Sequence, residues 1–474
     1  MKKSPVKWYI ITVSLFFLFI SPGFLTDGMF MDGIIYAVIS RNFALGTELF
    51  GSLSFSETLD KSFYGHPPLV FAIQGIFFNL STGLYTERIY SVFTYLVSGI
   101  VILLIWKKIS FSKNYATASI PLFIWLLAPG TSWGAMNNVL ENTMTIFVLL
   151  AFFLFVLGKS NNKWYFVVFA GIAAFLAFMC KGPTGLFVFS IPFWYFVVEK
   201  EVKFFEFIKQ SIWMLLGFFA GFLFLYIFYN KAFEFIIIYL DRQLLGSMTS
   251  AQTVPYRAFI LKRLLQEISV VLVLSVVFFA LRKKLNISQS EFFGQKKAAL
   301  LLIFIGLSGV LPIMVSLKQS AFYILSAMPF FMLGFALLTE SSWLKLGENV
   351  SNSKVARTAF SALAAILLVA AIVVNGLQVG KFGRDKLPLE SINEICTIVP
   401  HHSVVSINDY DRTQWSMHAY FQRKACISLD FKEQNRHLYL VSSAEISGAD
   451  TVLYQKVVLK NSFFKLYRKK TVEN

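Results

Sequence analysis

Asp32-Gly-Ile-Ile-Tyr36-Ala and, later in the same polar loop, Tyr64-Gly-His66-Pro67-Pro68-Leu69 are the stretches of this sequence that decide its fold. Both lie between a first apolar segment and the next one, which begins at the Pro-Pro step. Charge beside a bilayer is costly and usually functional. We therefore take Asp32 as the first functional candidate and Asp27 as a solvated loop charge. Between residues 27 and 66 the acids are Asp27, Asp32, Glu48, Glu57 and Asp60, and the bases are Arg41 and Lys61.

The composition is that of an integral membrane protein. Of the 474 residues, 56% are hydrophobic and 15% are charged, and the mean hydropathy is +0.64. A soluble domain is nearer half apolar and about a quarter charged. The net charge of +17 does not indicate nucleic acid, because Lys and Arg lie in short clusters between apolar segments. Cys180, Cys396 and Cys426 form neither a metal pattern nor a disulfide framework, and leave open a single bridge between the last two.

Twelve apolar segments are candidate membrane spans. The segment 67–82 offers about 16 residues, or roughly 24 Å of helix, against a hydrocarbon core of about 30 Å. The N-terminal segment lacks a small-x-small cleavage site and predicts an uncleaved helix. The segments lie at roughly 8–25, 67–82, 88–106, 114–130, 140–157, 164–180, 183–198, 210–229, 264–281, 298–316, 320–339 and 357–378.

The charges predict about eleven crossings. If 67–82 does not cross, five basic clusters fall on the side of Lys2 and Lys3; if it crosses, all five move outward, against the positive-inside rule. We therefore expect 67–82 to be a membrane-associated helix, with a first outer loop over residues 26–87. The clusters are Lys107/Lys108/Lys113, Lys159/Lys163, Lys200/Lys203/Lys209, Arg282/Lys283/Lys284/Lys296/Lys297 and Lys345/Lys354/Arg357.

From Lys381 the pattern changes to short alternating apolar runs with polar turns between them. Such runs predict a small α/β soluble domain over residues 381–474, on the outer side of a transmembrane domain over residues 1–380. The predicted strands begin at Ser403, Ala425, His437 and Thr451. His401 and His402 have no spaced third ligand and predict a solvated turn.

Polar landmarks gather at the outer face in this arrangement. The motifs were not used to choose the topology, so their convergence checks it independently. No glycine-rich nucleotide-binding loop is present. The landmarks are Asp32, His66, the loop from Gly130 to Glu141, the step Lys181-Gly182-Pro183, the loop around Asp241 and Arg242, and Lys318-Gln319 with Tyr323.

Residues 8–340 resemble the GT-C membrane glycosyltransferases that use polyprenyl-phosphate sugars, among them the lipid A aminoarabinose transferases and the protein O-mannosyltransferases. In that pattern an acid of the first outer loop stands a few residues before Tyr-Ala, as Asp32 does, with Gly33 here where many members have Glu. The His-Pro-Pro-Leu element matches residues 66–69, and the arginine of the following helix matches Arg88.

Later elements of the resemblance follow in the same order. Glu141 heads the fourth span, where Asp is the commoner residue, and Lys181-Gly182 matches a Lys-Gly step. Lys318 to Tyr323 resembles the family's Lys-x-x-x-Tyr-Leu-x-Pro-x-x-Pro element, although Ser326 replaces the first proline. No piece is specific alone; together they indicate the family and leave the substrate open.

The resemblance implies a GT-C fold and an inverting transfer of a sugar from a polyprenyl-phosphate donor to a lipid, glycan or protein acceptor. The site would face outward from a bacterial cytoplasmic membrane. Asp32 is then the catalytic carboxylate, and Glu141 is either a second one or a helix cap. The two acids leave a divalent cation open. Residues expected to bind donor phosphate or substrate are His66, Arg88, Lys181, Arg242, Lys318 and Tyr323.

Two other classes stay open: a transporter or flippase of lipid-linked sugars, and an O-antigen ligase or polymerase. The sequence shows no inverted repeat, which does not favour a transporter. Its main outer loop comes early in the chain, which does not favour a ligase or polymerase. A non-enzymatic scaffold is the remaining alternative. The basic residues of the outward loop 230–263 either escape the charge rule because the loop is longer, or supply a positive field for a lipid phosphate.

Overall fold

The computed structural model describes residues 5–46, 50–113, 115–245, 252–432 and 437–470. Within these ranges eight helical stretches are long and apolar enough to cross a membrane. The prediction of a multi-span helical protein is confirmed, whereas the count of eleven crossings stays a prediction. The eight stretches are Val6–Phe24, Thr86–Ile109, Leu140–Asn161, Trp164–Val198, Phe204–Phe228, Phe259–Leu281, Gln289–Val315 and Lys354–Gly376.

The described helices are numbered here in chain order. The first eight are α1 Pro5–Phe24, α2 Met31–Ala44, α3 Leu69–Leu80, α4 Thr86–Ile109, α5 Ser119–Leu126, α6 Pro129–Asn137, α7 Leu140–Asn161 and α8 Trp164–Lys181. A 3₁₀ segment Gly182–Ser190 leads to α9 Ile191–Val198, α10 Phe204–Phe228 and α11 Asn230–Tyr239. There follow α12 Phe259–Leu281, α13 Gln289–Phe292, α14 Lys296–Val310, α15 Met328–Asn352 and α16 Lys354–Gly376.

Pro129 and Gly182 mark breaks between helices in the predicted apolar segments. The single span expected over 114–130 is broken into α5 and α6, because the residue before Pro129 disfavours helical geometry and Pro129 starts a new helix. The chain reverses at Gly182, whose φ of +72° ends α8, and Gly185 returns against Ala177. The helical stretch Trp164–Val198 therefore contains the two separate segments that the sequence predicts.

Helix α3 has 12 residues, about 18 Å of helix, against a hydrocarbon core of about 30 Å. It packs mainly on α2. Its length agrees with the prediction that the segment 67–82 does not cross. Helices α2 and α3 thus give the first loop regular structure over its described residues, 26–46 and 50–87.

The C-terminal residues form a five-stranded sheet with helices, which confirms the predicted small α/β unit. The strand order is β2-β1-β3-β5-β4, with β1 parallel to β2 and β3, and β5 antiparallel to β3 and β4. The strand expected from Thr451 begins later, because a short helix precedes it. The strands are β1 Val404–Ile407, β2 Ser428–Asp430, β3 Tyr439–Ser442, β4 Tyr454–Val457 and β5 Lys465–Lys469, and the helices are α17 Lys386–Ile398, α18 Trp415–Ala425 and α19 Ala449–Leu453.

Helix α18 fastens this sheet unit to the first loop. Arg423 forms a buried ion pair with Glu87, at 2.8 Å from Nη2 to Oε2, and Lys424 Nζ lies 2.7 Å from Asp27 Oδ2. The expectation that Asp27 is a solvated charge is therefore wrong, because the sheet unit covers it and supplies its cation. The first loop and the sheet unit lie on the same face of the bundle.

The basic clusters near α7, α10 and α14 lie at the opposite end of the bundle. Lys159, at the far end of α7 from Glu141, pairs with Glu206, and Lys297 pairs with Glu199. This separation agrees with the charge argument for topology. The three cysteines are free thiols in the structure.

Phosphatase fusions test the orientation. We expect a fusion after residue 395 to be active and one after residue 110 to be inactive, because the sheet unit and the basic clusters lie at opposite ends and short basic loops stay in the cytoplasm. Fusions at both points are assayed in intact cells at equal expression. Activity at 110 without activity at 395 would contradict the topology and the site built on it.

Candidate active site

Asp32 lies in the first turn of α2, where a carboxylate interacts favourably with the helix N-terminus. The next residue is held tightly: a Cβ added at Gly33 would lie 2.1 Å from the carbonyl oxygen of Asn137. The Glu found at this position in many members of the resembled family cannot fit here without moving the backbone. Asp32 is therefore the acid that this turn presents.

A buried chain of side-chain amides fixes the turn that carries Asp32. Asn138, in the left-handed conformation with φ 49°, donates from Nδ2 to the Gly33 carbonyl at 2.9 Å. Its Oδ1 accepts from Gln74 Nε2 at 2.9 Å, and Gln74 Oε1 accepts from Ser40 Oγ at 2.7 Å. These bonds join α2, α3 and the turn between α6 and α7.

Glu141 and Lys181 form a buried ion pair between the start of α7 and the end of α8. Lys181 Nζ contacts Glu141 Oε1, and the two residues are 7% and 0% exposed. Glu141 Oε2 is buried and has no hydrogen-bond partner. One oxygen of the Glu141 carboxylate is therefore paired with Lys181, and the other has no partner. A residue that only capped the helix would not show a buried ion pair of this kind.

Aromatic rings surround the Lys181 ammonium. Its Nζ lies 4.4 Å from the ring centroid of Tyr323 and 4.8 Å from that of Phe322, a favourable cation–π geometry. Trp133 stacks on Phe322 at 5.6 Å and contacts Phe30 at 5.3 Å between centroids. The rings form an aromatic wall beside the charged group.

His66 is connected to the charged residues around Lys181 by a hydrogen bond to Tyr36. The Tyr36 hydroxyl and His66 Nε2 are 3.0 Å apart. Burial, followed by the positive charges of Lys181 and Lys318, holds the pKa of His66 well below its ordinary value. His66 is therefore a neutral hydrogen-bonding group at neutral pH and does not add a cation.

Asp32 and Tyr36 respond to the same charges. Burial raises the pKa of the Asp32 carboxyl, and the charge of Lys181 opposes that rise. Burial also raises the pKa of Tyr36 well above its ordinary value, and the carboxylates of Asp32 and Glu141 raise it further. The fold brings the predicted residues Asp32, Glu141, Lys181, His66, Lys318 and Tyr323 into one electrostatic cluster, which we call the acid–lysine cluster.

Two predicted residues lie outside the acid–lysine cluster. Arg88 is buried and donates to the backbone carbonyls of Gly23, Gly28 and Met136, so it holds the start of the first loop. Arg242 is exposed in a π-helical turn, with its guanidinium 5.0 Å from the ring centroid of Tyr64. It lies beside the loop that carries His66.

An apolar cavity of about 690 Å³ lies between the first loop, α3, α8 and α10. Leu176 and Met179 line it from α8 within two turns of Lys181, and Leu69 lines it directly after the Pro-Pro step. The end of α8 and the loop after His66 therefore lie at the edge of this apolar groove, although Lys181 itself does not line it. The remaining walls are Phe50, Ile172, Phe175, Ala220, Gly221, Phe224, Leu225 and Tyr229.

Sequence reasoning missed the residues that hold the cluster in place. Glu267 is buried in α12, pairs with Arg263 at 2.5 Å and accepts from the Gly130 backbone N–H at 2.7 Å. The available signal was an acid inside an apolar run, four residues after an arginine. Gln74 and Asn138 carried no such signal, because their partners are distant in sequence.

The donor set does not favour a divalent cation. Glu141 is already paired with an ammonium group, and the described residues contain no group of three His, Cys, Asp or Glu side chains that could hold a metal. Two carboxylates beside a lysine are a poor match to the six or more oxygen ligands that Ca²⁺ takes or to the octahedron that Mg²⁺ requires.

Comparison with known proteins identifies the fold. Residues 65–229 match the family model described as dolichyl-phosphate-mannose-protein mannosyltransferase. ArnT from Cupriavidus metallidurans, solved bound to undecaprenyl phosphate, is similar with a TM-score of 0.68 at 12% identity over 98% of both chains. The archaeal oligosaccharyltransferase AglB from Archaeoglobus fulgidus, in complex with an inhibitory peptide and a dolichol-phosphate, has a TM-score of 0.52 at 11% identity, over 93% of this chain and 70% of that one. No curated protein matches this chain.

The chain therefore has the fold of the GT-C glycosyltransferases that use polyprenyl-phosphate sugars, and the resemblance seen in the sequence is confirmed. Its architecture is similar to that of ArnT along nearly the whole chain, from the first helix to the C-terminal sheet.

The ion pair between Lys181 and Glu141 is testable by stability. Lys181→Met should lower the free energy of unfolding by about 3–5 kcal/mol, because it leaves a buried carboxylate without its cation. The double variant Lys181→Met/Glu141→Gln should recover much of that loss. The readout is the thermal unfolding midpoint in one detergent.

Lys159→Met is the matched control at the other end of α7. Its pair with Glu206 is partly exposed, at 25% and 38%, and such pairs contribute only about 0–1 kcal/mol. Equal and small shifts for Lys159→Met and Lys181→Met would show that the pair between Lys181 and Glu141 is not buried.

Proposed function

We propose that this protein is an inverting glycosyltransferase that moves a sugar from a polyprenyl-phosphate donor to an acceptor hydroxyl at the outer face of a bacterial cytoplasmic membrane. The observation that carries the proposal is the meeting of Asp32, Glu141 and Lys181 in one charged cluster near the end of an apolar groove. A carboxylate, a cation and a lipid-sized groove are the parts that this reaction needs.

The donor fits this arrangement with its lipid in the groove and its phosphate at the lysines. Leu69, three residues after His66, and Met179, two residues before Lys181, line the groove, so a lipid chain lying there has one end close to the His66 loop and the end of α8. Lys318 is close enough to His66 for its charge to act on the same site. The undecaprenyl phosphate bound by the similar ArnT supports a lipid phosphate as the ligand class.

Asp32 performs the proton transfer in this proposal. Its carboxylate takes the proton of the acceptor hydroxyl while the acceptor oxygen attacks the anomeric carbon. The bond from that carbon to the phosphate oxygen breaks, and its electron pair leaves with the lipid phosphate, which Lys181 and Lys318 stabilise. One direct displacement without a covalent sugar–enzyme intermediate inverts the anomeric centre.

The remaining residues orient the reactants. Neutral His66 and Tyr36, bonded to each other, offer hydrogen bonds to sugar hydroxyls, and Glu141 holds Lys181 toward the site. Arg242, beside Tyr64, supplies a second cation near the loop of His66. We assign Arg88 to positioning of the first loop, because its guanidinium is committed to three backbone carbonyls.

Asp32→Asn should lower turnover by at least about 100-fold at unchanged protein level, because general-base catalysis contributes roughly 10²–10⁴-fold. The assay incubates membranes with a panel of radiolabelled polyprenyl-phosphate sugars and follows the label into acceptors. Asp60→Asn is the matched control: it makes the same change in the same loop at an exposed side chain, and should retain activity.

Near wild-type transfer by Asp32→Asn would remove Asp32 from the mechanism. Movement of labelled lipid across the membrane without transfer of the sugar would instead identify a flippase.

The pH profile follows from the raised pKa of Asp32. The base must be ionised, so kcat/KM should fall as pH drops through that pKa, at a higher pH than the ordinary aspartate value of about 3.9. His66, with its pKa held low, should add no limb near pH 6.5. The measurement is kcat/KM from about pH 3 to 9; a limb at or below the ordinary aspartate value of about 3.9 would contradict the role of Asp32.

A further inference from the structure

Lys318 stands in a stretch of irregular backbone, residues 316–320, between the 3₁₀ turns Leu311–Val315 and Ala321–Ile324. Its positive charge acts on His66 of the acid–lysine cluster, and its side chain forms no ion pair with any residue that the structure describes. An irregular stretch does not pair its own backbone groups, so other partners must satisfy them. The position of this cation therefore depends on the hydrogen bonds between residues 316–320 and their neighbours.

The Gln319 side chain makes three of these hydrogen bonds. Gln319 is 2% exposed. Its Nε2 donates to the backbone carbonyls of Ser316 and Arg257, both at 2.8 Å, and its Oε1 accepts from the Ile260 N–H at 3.0 Å. Ile260 lies in the first turn of α12, where backbone N–H groups have no partner within the helix. The amide therefore ties the Lys318 stretch to the start of α12.

Thr253 fixes the backbone on both sides of Lys318. Its Oγ1 accepts from the Gln319 N–H at 2.8 Å and donates to the Gln319 carbonyl at 2.9 Å. The N–H groups of Thr253 and Val254 donate to the Leu317 carbonyl at 3.1 and 3.2 Å. The residues before and after Lys318 are thus held in place, whereas its own ammonium group is left to act on the site.

Helix α12 extends this connection toward Asp32. About two turns into the helix, Glu267 accepts from the Gly130 N–H at 2.7 Å, at the start of α6. The end of α6, at Asn137, packs against the residue that follows Asp32. The hydrogen bonds of Gln319 therefore place Lys318 on the same framework that supports the acid.

We propose that Gln319 is a positioning residue that acts through Lys318, because its hydrogen bonds hold the Lys318 ammonium where the lipid phosphate needs a cation. The inference rests on the proposed function, in which Lys318 stabilises that phosphate. Gln319 itself does not bind the substrate, because both N–H groups and the oxygen of its amide are bonded to the backbone. Loss of these bonds leaves the Lys318 charge present but displaced, so affinity for the phosphate should fall.

Binding of undecaprenyl phosphate to the full chain in nanodiscs of neutral lipid tests this role through a double-mutant cycle. Lys318→Met should raise the Kd at least about tenfold, because it removes a charge-assisted contact to the phosphate. Gln319→Met keeps the size of the side chain, removes its three hydrogen bonds and should raise the Kd at least about fivefold. In the double variant the Kd should stay within about twofold of that of Lys318→Met alone.

Three further variants control the cycle. Thr253→Val removes one hydroxyl from an exposed residue; it should show the same pattern more weakly, and it decides the test if Gln319→Met does not fold. Gln266→Met, at an exposed glutamine of α12, should leave the Kd unchanged. Beside Arg242→Met, on another segment, the loss from Gln319→Met should multiply, which separates action through Lys318 from a general loosening of the site.

Two results would overturn the assignment and leave the transferase proposal standing. One is an unchanged Kd in Gln319→Met, and the other is a pair of losses from Gln319→Met and Lys318→Met that multiply in the double variant. A wild type that does not bind undecaprenyl phosphate would instead remove the donor class of the transferase proposal, and the role of Gln319 with it.

Discussion

The ion pair between Lys181 and Glu141 is the interaction on which the rest of this molecule depends. Two charges in an apolar helical bundle are stable only when each has the other, so the end of α8 must meet the start of α7. Directly after the pair the chain turns sharply at Gly182, whose positive φ only glycine adopts readily. The aromatic wall and the acid of the first loop are both arranged around this pair.

The second constraint is the tight packing of the first loop. Gly33 lies directly on the backbone of Asn137, and the amides of Asn138 and Gln74 close the space around it. Helix α18 of the C-terminal unit fastens the loop from the other side through Glu87 and Asp27. Asp32 therefore stands on a rigid support although it belongs to a loop, which suits the proton-accepting role proposed for it.

The same arrangement explains why one helix serves two regions. Helix α2 carries Asp32 at its first turn and Arg41 in its last, so its length sets the spacing between the acid–lysine cluster and the hydrogen bonds of Arg41 to the end of α18.

The sequence by itself determined the membrane class, the ordered first loop, the α/β character of the C-terminal unit and the identity of Asp32, Glu141 and Lys181 as candidates. Composition, charge clusters and Pro-Pro steps are local features, so they can be recognised in the sequence without knowing which residues are in contact. Only the tertiary structure decided that Glu141 pairs with Lys181, that Arg88 is committed to backbone carbonyls and that Asp27 is covered by Lys424. Those outcomes depend on contacts between residues up to several hundred positions apart, and no local pattern encodes which buried charge will find which partner.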